Sequence, residues 1–269
     1  MLPNVFTRSL KIPSGMATIF LQYFFVNKIS RLNLIMKNFL ILSIIFLSLI
    51  SCTKKTDNSL PQPPISVDTI HKTYLALGDS YTIGESVSES ERFPVQTVKL
   101  LRQQNIDIAD PAIIAVTGWT TGNLLNALNN NPPKKDYSIV TLLIGVNNQY
   151  QGRSLNEYKV GFTELLNRAI SYAGNNRNHV FVISIPDYSV TPFAEIYDTA
   201  RIAKEIDAFN AANKAITLNE GVAYIDITPI SREVRNKPSL VARDGLHPSG
   251  EQYKKWSEFL APVILQGIH

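Results

Sequence analysis

The stretch Thr73-Tyr74-Leu75-Ala76-Leu77-Gly78-Asp79-Ser80-Tyr81 joins a short apolar segment to a turn of small polar residues. Its first five residues have the length and composition of a buried strand, and Gly78 allows the chain to turn sharply as it leaves a sheet. We therefore expect the Ser80 hydroxyl to project from a sheet edge. Gly, Asp and Ser are also common in ordinary turns and helix caps, so this stretch alone does not establish a functional site.

Four more apolar segments with the features of strands follow along the chain. They lie at Ala112–Val116, Ser138–Ile144, Val180–Ile185 and Val222–Ile227. Between them, helical patterns occupy residues 93–104, 121–129, 155–173 and 199–218, and a last helix is predicted from Pro248 to Leu265. Strands that alternate with helices favour parallel pairing through right-handed crossovers. The sequence thus predicts one α/β domain, a three-layer α/β/α sandwich with a mainly parallel five-stranded sheet.

A second group of polar residues, Asp244-Gly245-Leu246-His247-Pro248, lies near the other end of the chain. Pro248 suits the first position of a helix, which places His247 at or beside the N-cap, where added positive charge is disfavoured. Asp244 can then accept a hydrogen bond from the imidazole Nδ1 and leave Nε2 as a proton acceptor. In isolation, however, this spacing is more typical of a turn cap beside an incidental surface histidine.

Two further loops follow predicted strands, Thr117-Gly118-Trp119-Thr120-Thr121 and Gly145-Val146-Asn147-Asn148. Each loop taken separately is best explained as a turn or a helix cap. Together with the Ser80 turn they supply what acyl transfer needs, because the N–H groups of Ser80 and Gly118 and the Asn147 amide can donate to an oxyanion. In parallel α/β sheets, functional residues gather in the loops at the carboxyl ends of the strands, which is where these three loops are predicted to lie.

These four blocks resemble the SGNH, or GDSL-like, hydrolase family over roughly residues 74–262. The family's four named residues occur in order as Ser80 in Gly-Asp-Ser, Gly118, Asn147 in Gly-x-Asn and His247 in Asp-x-x-His. The resemblance implies a flavodoxin-like fold and hydrolysis of esters or thioesters without a metal or cofactor. Ser80 would be the nucleophile, and Asp244 and His247 would complete a catalytic triad.

Two positions near these motifs are Asp79 and Asn148. Asp79 is adjacent to the nucleophile, but we expect it to have a structural role in the turn, since Asp244 is better spaced to orient His247. Many family members have Gly-x-Asn-Asp where this chain has Asn148, so the resemblance does not determine the conformation of that loop.

The sequence says less about the substrate. Tyr188 and Phe193 follow the fourth predicted strand and are candidates for one wall of a pocket, although they are equally compatible with local packing. No long insertion suggests a large lid, so we expect an esterase for small acyl groups such as acetyl, including those on acetylated glycans. The alternatives are a lysophospholipase or thioesterase acting on lipid acyl chains, and a glycan-binding lipoprotein without catalysis.

Composition excludes other classes of site. The 269 residues include one cysteine and four scattered histidines, which rules out an internal disulfide and offers no cluster for a structural zinc. The formal net charge is +4, but residues 1–52 contain five basic residues and no acidic ones. The rest of the chain has 21 basic and 22 acidic residues, a net charge of −1. Nucleic acid is therefore not an expected partner.

The basic N-terminal segment has the order of a secretory signal. Met36-Lys37-Asn38 precedes an apolar run from Phe39 to Ile50, and the tetrapeptide ending at Cys52 resembles the lipobox of bacterial lipoproteins. We expect a signal peptide at 36–51, lipidation of Cys52, a flexible tether over 52–72 and the hydrolase domain at 73–269. A transmembrane anchor over 32–50 is the alternative.

This assignment carries two further expectations. The protein would be lipid-anchored in the bacterial cell envelope, at the outer membrane or cell surface. Residues 1–35 would be a non-native upstream extension, with translation beginning at Met36.

Overall fold

The computed structural model describes residues 71–269, and within them five strands form one sheet. They are β1 (Tyr74–Gly78), β2 (Ala112–Ala115), β3 (Ile139–Leu143), β4 (Val180–Ile183) and β5 (Ala223–Ile225). All neighbouring pairs are parallel, in the order β2-β1-β3-β4-β5. The five predicted strands and their parallel pairing are thus confirmed, in the strand order of flavodoxin-like folds.

Helices in the described region follow the strands in alternation. They are α1 (Ser80–Ile83), α2 (Phe93–Gln103), α3 (Thr121–Asn130), α4 (Val146–Tyr150), α5 (Leu155–Tyr172), α6 (Thr199–Asn219), α7 (Thr228–Arg232) and α8 (Gly250–Gly267). Short 3₁₀ turns occupy Glu89–Glu91, Arg177–His179, Tyr188–Val190, Pro192–Ile196, Glu233–Arg235 and Pro238–Leu240.

Strand order and crossover handedness divide these helices between the two faces of the sheet. Along the sheet, the connection from β1 to β2 runs in one direction, and the connections from β2 to β5 run in the opposite direction. Right-handed crossovers therefore place α2 on one face of the sheet and α3, α5 and α6 on the other face. Helix α8 packs on α2, while α3 packs on α5 and α5 on α6. The predicted three-layer sandwich is confirmed.

Aromatic side chains fill the core on both sides of the sheet. In the α2/α8 layer, the buried rings of Tyr253 and Trp256 meet edge to face with centroids 5.1 Å apart. In the other layer, the rings of Tyr158 and Phe209 stack at 4.7 Å. Such pairs stabilise a core beyond their buried area. The helices are thereby fixed against the sheet whose edge carries the predicted site residues.

The start of the last helix differs from the prediction. Helix α8 begins at Gly250, and the hydroxyl of Ser249 caps it by accepting from the backbone N–H of Gln252. Pro248 precedes the helix and instead forms an isolated antiparallel bridge with Val241. The expectation that Pro248 opens the helix and that His247 lies at or beside its N-cap was wrong, because Ser249 is the cap and the helix starts two residues later than predicted. The helix dipole is therefore no argument for a neutral His247.

The predicted non-native extension, the signal peptide and Cys52 lie outside the described residues, as does most of the tether. His71 and Lys72, the last two residues of that tether, contact the domain. The backbone N–H of Lys72 donates to the carbonyl of Asp107 at 2.9 Å, and its Nζ donates to the carbonyl of Ile268 at 3.1 Å. Within residues 71–269 no helix is both long and apolar enough to cross a membrane.

Candidate active site

The carboxyl ends of β1, β2 and β3 bring three of the predicted loops to one edge of the sheet. β1 and β3 lie in register at Gly78 and Leu143, and a side chain at Gly78 would place its Cβ only 2.5 Å from the Leu143 carbonyl oxygen. Only glycine allows this close approach. The turn containing Ser80 and the loop containing Asn147 therefore leave the sheet side by side.

The first turn is held by the side chain of Asp79. Its Oδ1 accepts from the backbone N–H of Tyr81 at 3.1 Å and caps the short helix α1, which begins at Ser80. Asp79 is fully buried, and this burial raises the pKa of its carboxyl to about 7 against the opposing effect of backbone hydrogen bonds. These contacts agree with the structural role expected for Asp79.

The second predicted group, the turn from Asp244 to His247, is closed by the Asp244 carboxylate. Its Oδ1 accepts from the backbone N–H groups of Leu246 at 2.9 Å and His247 at 3.0 Å. Its Oδ2 lies 2.6 Å from His247 Nδ1. Gly245 makes the turn possible with a φ of 75°. The predicted contact between the carboxylate and Nδ1 is present.

The protonation state of this pair follows from the surroundings of Asp244. Partial burial acts to raise the pKa of its carboxyl, but hydrogen bonds from Ser86, from His247 and from the two backbone N–H groups lower it to about 2. The carboxylate is therefore ionised at neutral pH and can only accept. Nδ1 of His247 must carry the proton of this hydrogen bond, which leaves Nε2 unprotonated in the neutral ring.

Gly118 and Asn147 occupy the two remaining loops. Gly118 has a φ of 85° with open space where a side chain would be, and within residues 71–269 no backbone carbonyl accepts from its N–H or from that of Ser80. Asn147 Nδ2 donates one hydrogen to the carbonyl of Trp119 at 3.0 Å. This contact orients the amide and leaves its second N–H available.

Asn148, where many family members have aspartate, is buried and joins its loop to the start of α3. Its Oδ1 accepts from the backbone N–H of Thr121 at 3.0 Å, and its Nδ2 donates to the Thr121 hydroxyl at 2.9 Å. The first contact is one that a carboxylate would also make. The amide therefore satisfies its buried neighbours, and the loop geometry is maintained without the negative charge.

One pocket of about 250 Å³ is lined by four of the five predicted catalytic residues, and the fifth, Asp244, contacts His247 Nδ1 without lining the pocket. Its lining residues are Ser80, Tyr81, Thr117, Gly118, Val146, Asn147, Tyr150, Tyr188, Phe193, Leu246 and His247. Ser80 and His247 are largely buried at 4% and 7% exposure. Tyr188 and Phe193, for which the sequence left a pocket wall and local packing equally open, are part of the wall. No cluster of His, Cys, Asp or Glu in the described region could hold a metal ion.

Sequence reasoning missed three residues at this site, Tyr150, Thr117 and Ser86. Tyr150 is half exposed, and its ring lies 6.1 Å from that of Phe193. Its position two residues after Asn148, in the same short helix, was the available signal. Thr117 lies next to Gly118 in the predicted loop, and its own side chain was not predicted to have a role. Ser86, which donates to Asp244, is 158 positions away from it in sequence, and no local pattern links the two.

The comparisons with known proteins agree with this geometry. The model of the GDSL-like lipase/acylhydrolase family matches residues 76–255, a range that includes all five predicted catalytic residues. The chain therefore belongs to the GDSL-like lipase/acylhydrolase family, as its motifs indicated. Membership of this family makes the protein an ester-bond hydrolase.

Solved structures with this fold include TesA, with a TM-score of 0.58 and 16% identity over 73% of this chain and 99% of that one. The lipase Lip_vut3 from a goat rumen metagenome has a TM-score of 0.58 and 20% identity over 71% and 97%. The acetylxylan esterase Axe2 from Geobacillus stearothermophilus has a TM-score of 0.53 and 19% identity over 73% and 94%. At these identities the likeness establishes the fold alone. No curated protein matches the chain significantly.

Proposed function

We propose that the protein is a serine esterase that cleaves small acyl esters through a Ser80–His247–Asp244 triad and an acyl-enzyme. The observation that carries this proposal is the pocket shared by Ser80, Gly118, Asn147 and His247, with an ionised Asp244 bound to Nδ1 of the histidine. The nucleophile, the base, its orienting carboxylate and the oxyanion donors are then supplied by four loops.

The reaction has two halves. His247 Nε2 takes the Ser80 proton as the hydroxyl oxygen attacks the acyl carbonyl, and the oxyanion is held by the N–H groups of Ser80 and Gly118 and the free N–H of Asn147. The imidazolium then protonates the leaving alcohol. Water, activated by the same histidine, attacks the acyl-enzyme, and Ser80 regains its proton as the acid leaves.

The size and lining of the pocket support a small acyl group. Its volume of about 250 Å³ lies below the range usual for sites that enclose larger ligands. The enclosed part of the wall includes Tyr81, Val146 and Tyr188, which are all buried, so the acyl group would meet apolar surface.

The half-exposed rings of Tyr150 and Tyr197 lie beside this wall. Phe193 joins them, with ring centroids 6.1 Å from Tyr150 and 5.5 Å from Tyr197. Exposed tyrosines combine an apolar face with a hydroxyl, which suits an alcohol with both features, such as the sugar ring of an acetylated glycan.

Hydrolysis of ethyl esters of increasing acyl length tests the proposal. We expect the highest kcat/KM at two to four carbons, loss of turnover in Ser80→Ala, and no change in Ser90→Ala, which alters an exposed serine away from the pocket. Activity that survives Ser80→Ala would refute the serine mechanism. A maximum at long acyl chains or thioesters would favour the lysophospholipase or thioesterase. Glycan binding without hydrolysis would favour a non-catalytic lipoprotein.

We also propose that the enzyme is anchored in the bacterial cell envelope through a lipid on Cys52. The lipobox-like Leu49-Ile50-Ser51-Cys52 and the apolar run before it support this location. Metabolic labelling with an alkyne fatty acid should tag the wild-type protein and not Cys52→Ser. Labelling of both proteins, or of neither, would overturn the lipid assignment.

A further inference from the structure

Ser86 donates a hydrogen bond to the carboxylate that orients His247. Its hydroxyl lies 2.6 Å from Asp244 Oδ2, the same oxygen that lies 2.6 Å from His247 Nδ1. With the two backbone N–H groups on Oδ1, the carboxylate accepts four hydrogen bonds, which fill its four acceptor positions. Hydrogen bonds to an ionised acceptor are stronger than those between neutral groups.

The turn that carries Ser86 is also bound to the nucleophile and to the Gly118 loop. The backbone N–H groups of Gly84 and Glu85 both donate to the Ser80 carbonyl at 3.0 Å. The Glu85 carboxylate accepts from the hydroxyl of Thr117, the neighbour of Gly118. The segment Gly84–Ser86 therefore contacts the nucleophile turn, the Gly118 loop and the Asp244 turn.

The backbone conformation of this segment is specialised. Gly84 has a φ of 74° and Ser86 a φ of 65°, a left-handed region that is uncommon for residues other than glycine, asparagine and aspartate. The surrounding contacts hold the serine in this conformation, and the conformation directs its hydroxyl at Asp244. Residues other than glycine in this conformation are concentrated at functional sites, where the surrounding structure holds them in place.

We propose that Ser86 is a positioning residue of the triad, whose hydroxyl fixes Asp244 Oδ2 so that the carboxylate holds His247 in its productive orientation. The proposal rests on the proposed serine mechanism. It assigns Ser86 no contact with the substrate, because Ser86 is not part of the pocket lining.

Two substitutions compatible with a positive φ separate the hydroxyl from the backbone. Ser86→Gly removes the donor and tolerates the conformation, whereas Ser86→Asn tolerates the conformation and restores a donor through its NH₂ group. Asn105→Gly, at another residue with positive φ (61°) outside the pocket, is the matched control. Thermal melts establish that each variant is folded.

We expect Ser86→Gly to lower kcat/KM for ethyl acetate about tenfold, the effect of losing one charge-assisted hydrogen bond. The pKa of the Asp244 carboxyl should also rise in this variant, because the Ser86 hydroxyl is one of the donors that lower it. Ser86→Asn should recover activity to within about threefold, and Asn105→Gly should match the wild type.

A second measurement is independent of turnover. The downfield proton resonance of His247 Nδ1 should shift and broaden in Ser86→Gly and return in Ser86→Asn. A wild-type rate, Asp244 pKa and resonance in Ser86→Gly would overturn the proposal, as would equal impairment of the Gly and Asn variants. If the wild-type protein has no esterase activity but the resonance still changes in Ser86→Gly and returns in Ser86→Asn, the proposed function is refuted. The linkage between Ser86, Asp244 and His247 would then still hold.

Discussion

Replacing Asp244 with asparagine tests how His247 is prepared to act as a base. Asparagine has the shape of aspartate, and the backbone N–H groups of Leu246 and His247, at 2.9 and 3.0 Å, fix its oxygen at the Oδ1 position. The NH₂ group must then occupy the Oδ2 position, facing His247 Nδ1 and the Ser86 hydroxyl. Because an NH₂ group only donates, Nδ1 must become an acceptor.

This exchange reverses the tautomer of the ring. Nε2 then carries the proton and cannot receive another from Ser80. The corresponding change in other triads lowers kcat about 10⁴-fold while the geometry stays intact, which is about 5 kcal/mol of transition-state stabilisation. We expect a loss of this size in Asp244→Asn, with a near-normal KM because the residue does not line the pocket.

Steady-state kinetics on ethyl acetate, with circular dichroism to verify folding, measure the effect. Asp198→Asn is the matched control, because Asp198 caps helix α6 and asparagine is an equally good cap. This control should keep the wild-type rate. If Asp244→Asn stayed within tenfold of the wild-type kcat, the carboxylate would not set the tautomer of His247, and the reasoning would fail.

Three further predictions concern the neighbouring residues. Asn147→Ala should lower kcat about 10² to 10³-fold through loss of an oxyanion donor, and a full rate in steady-state assays would remove Asn147 from that role. Asn148→Asp should keep the acceptor for the backbone N–H of Thr121, whereas Asn148→Ala leaves that buried donor unpaired. The alanine variant should therefore lose about 1 to 3 kcal/mol of unfolding free energy, measured by urea denaturation. Equal stability of the two variants would contradict the contact. Asp79 has a pKa of about 7 in the folded state and near 4 in the unfolded state, so between these pH values only the folded protein binds the proton. The free energy of unfolding should therefore fall by about 4 kcal/mol as pH rises from 4 to 7. This slope should be absent in Asp79→Asn, and an unchanged slope would locate its source elsewhere.

The sheet was predictable from the sequence because local patterns determine it. Each strand is a short apolar run, and the three central strands β1, β3 and β4 are fully buried, so composition and turn residues identify the strands without knowledge of their partners. Helix boundaries were less predictable. The sequence pattern predicts the start of the last helix at Pro248, whereas in the folded chain Pro248 pairs with Val241 and Ser249 caps a helix that begins at Gly250.

The site also contains some residues that local sequence patterns identify and others that only the tertiary fold reveals. Ser80, Gly118, Asn147 and His247, which line one pocket, could be selected from the sequence because each lies in a short motif beside a predicted element. Ser86 was not found, since its contact with Asp244 joins two turns through the tertiary fold. The compensation at Asn148 also depends on a partner 27 residues away, the start of α3.

Covalent labelling of the nucleophile tests the central claim most directly. The purified protein is treated with a fluorophosphonate ester, which phosphonylates an activated serine, and the labelled peptide is identified by mass spectrometry. We predict one label per chain, on Ser80, that is abolished in His247→Ala. A label on another serine, or an active enzyme that takes no label at Ser80, would contradict the account.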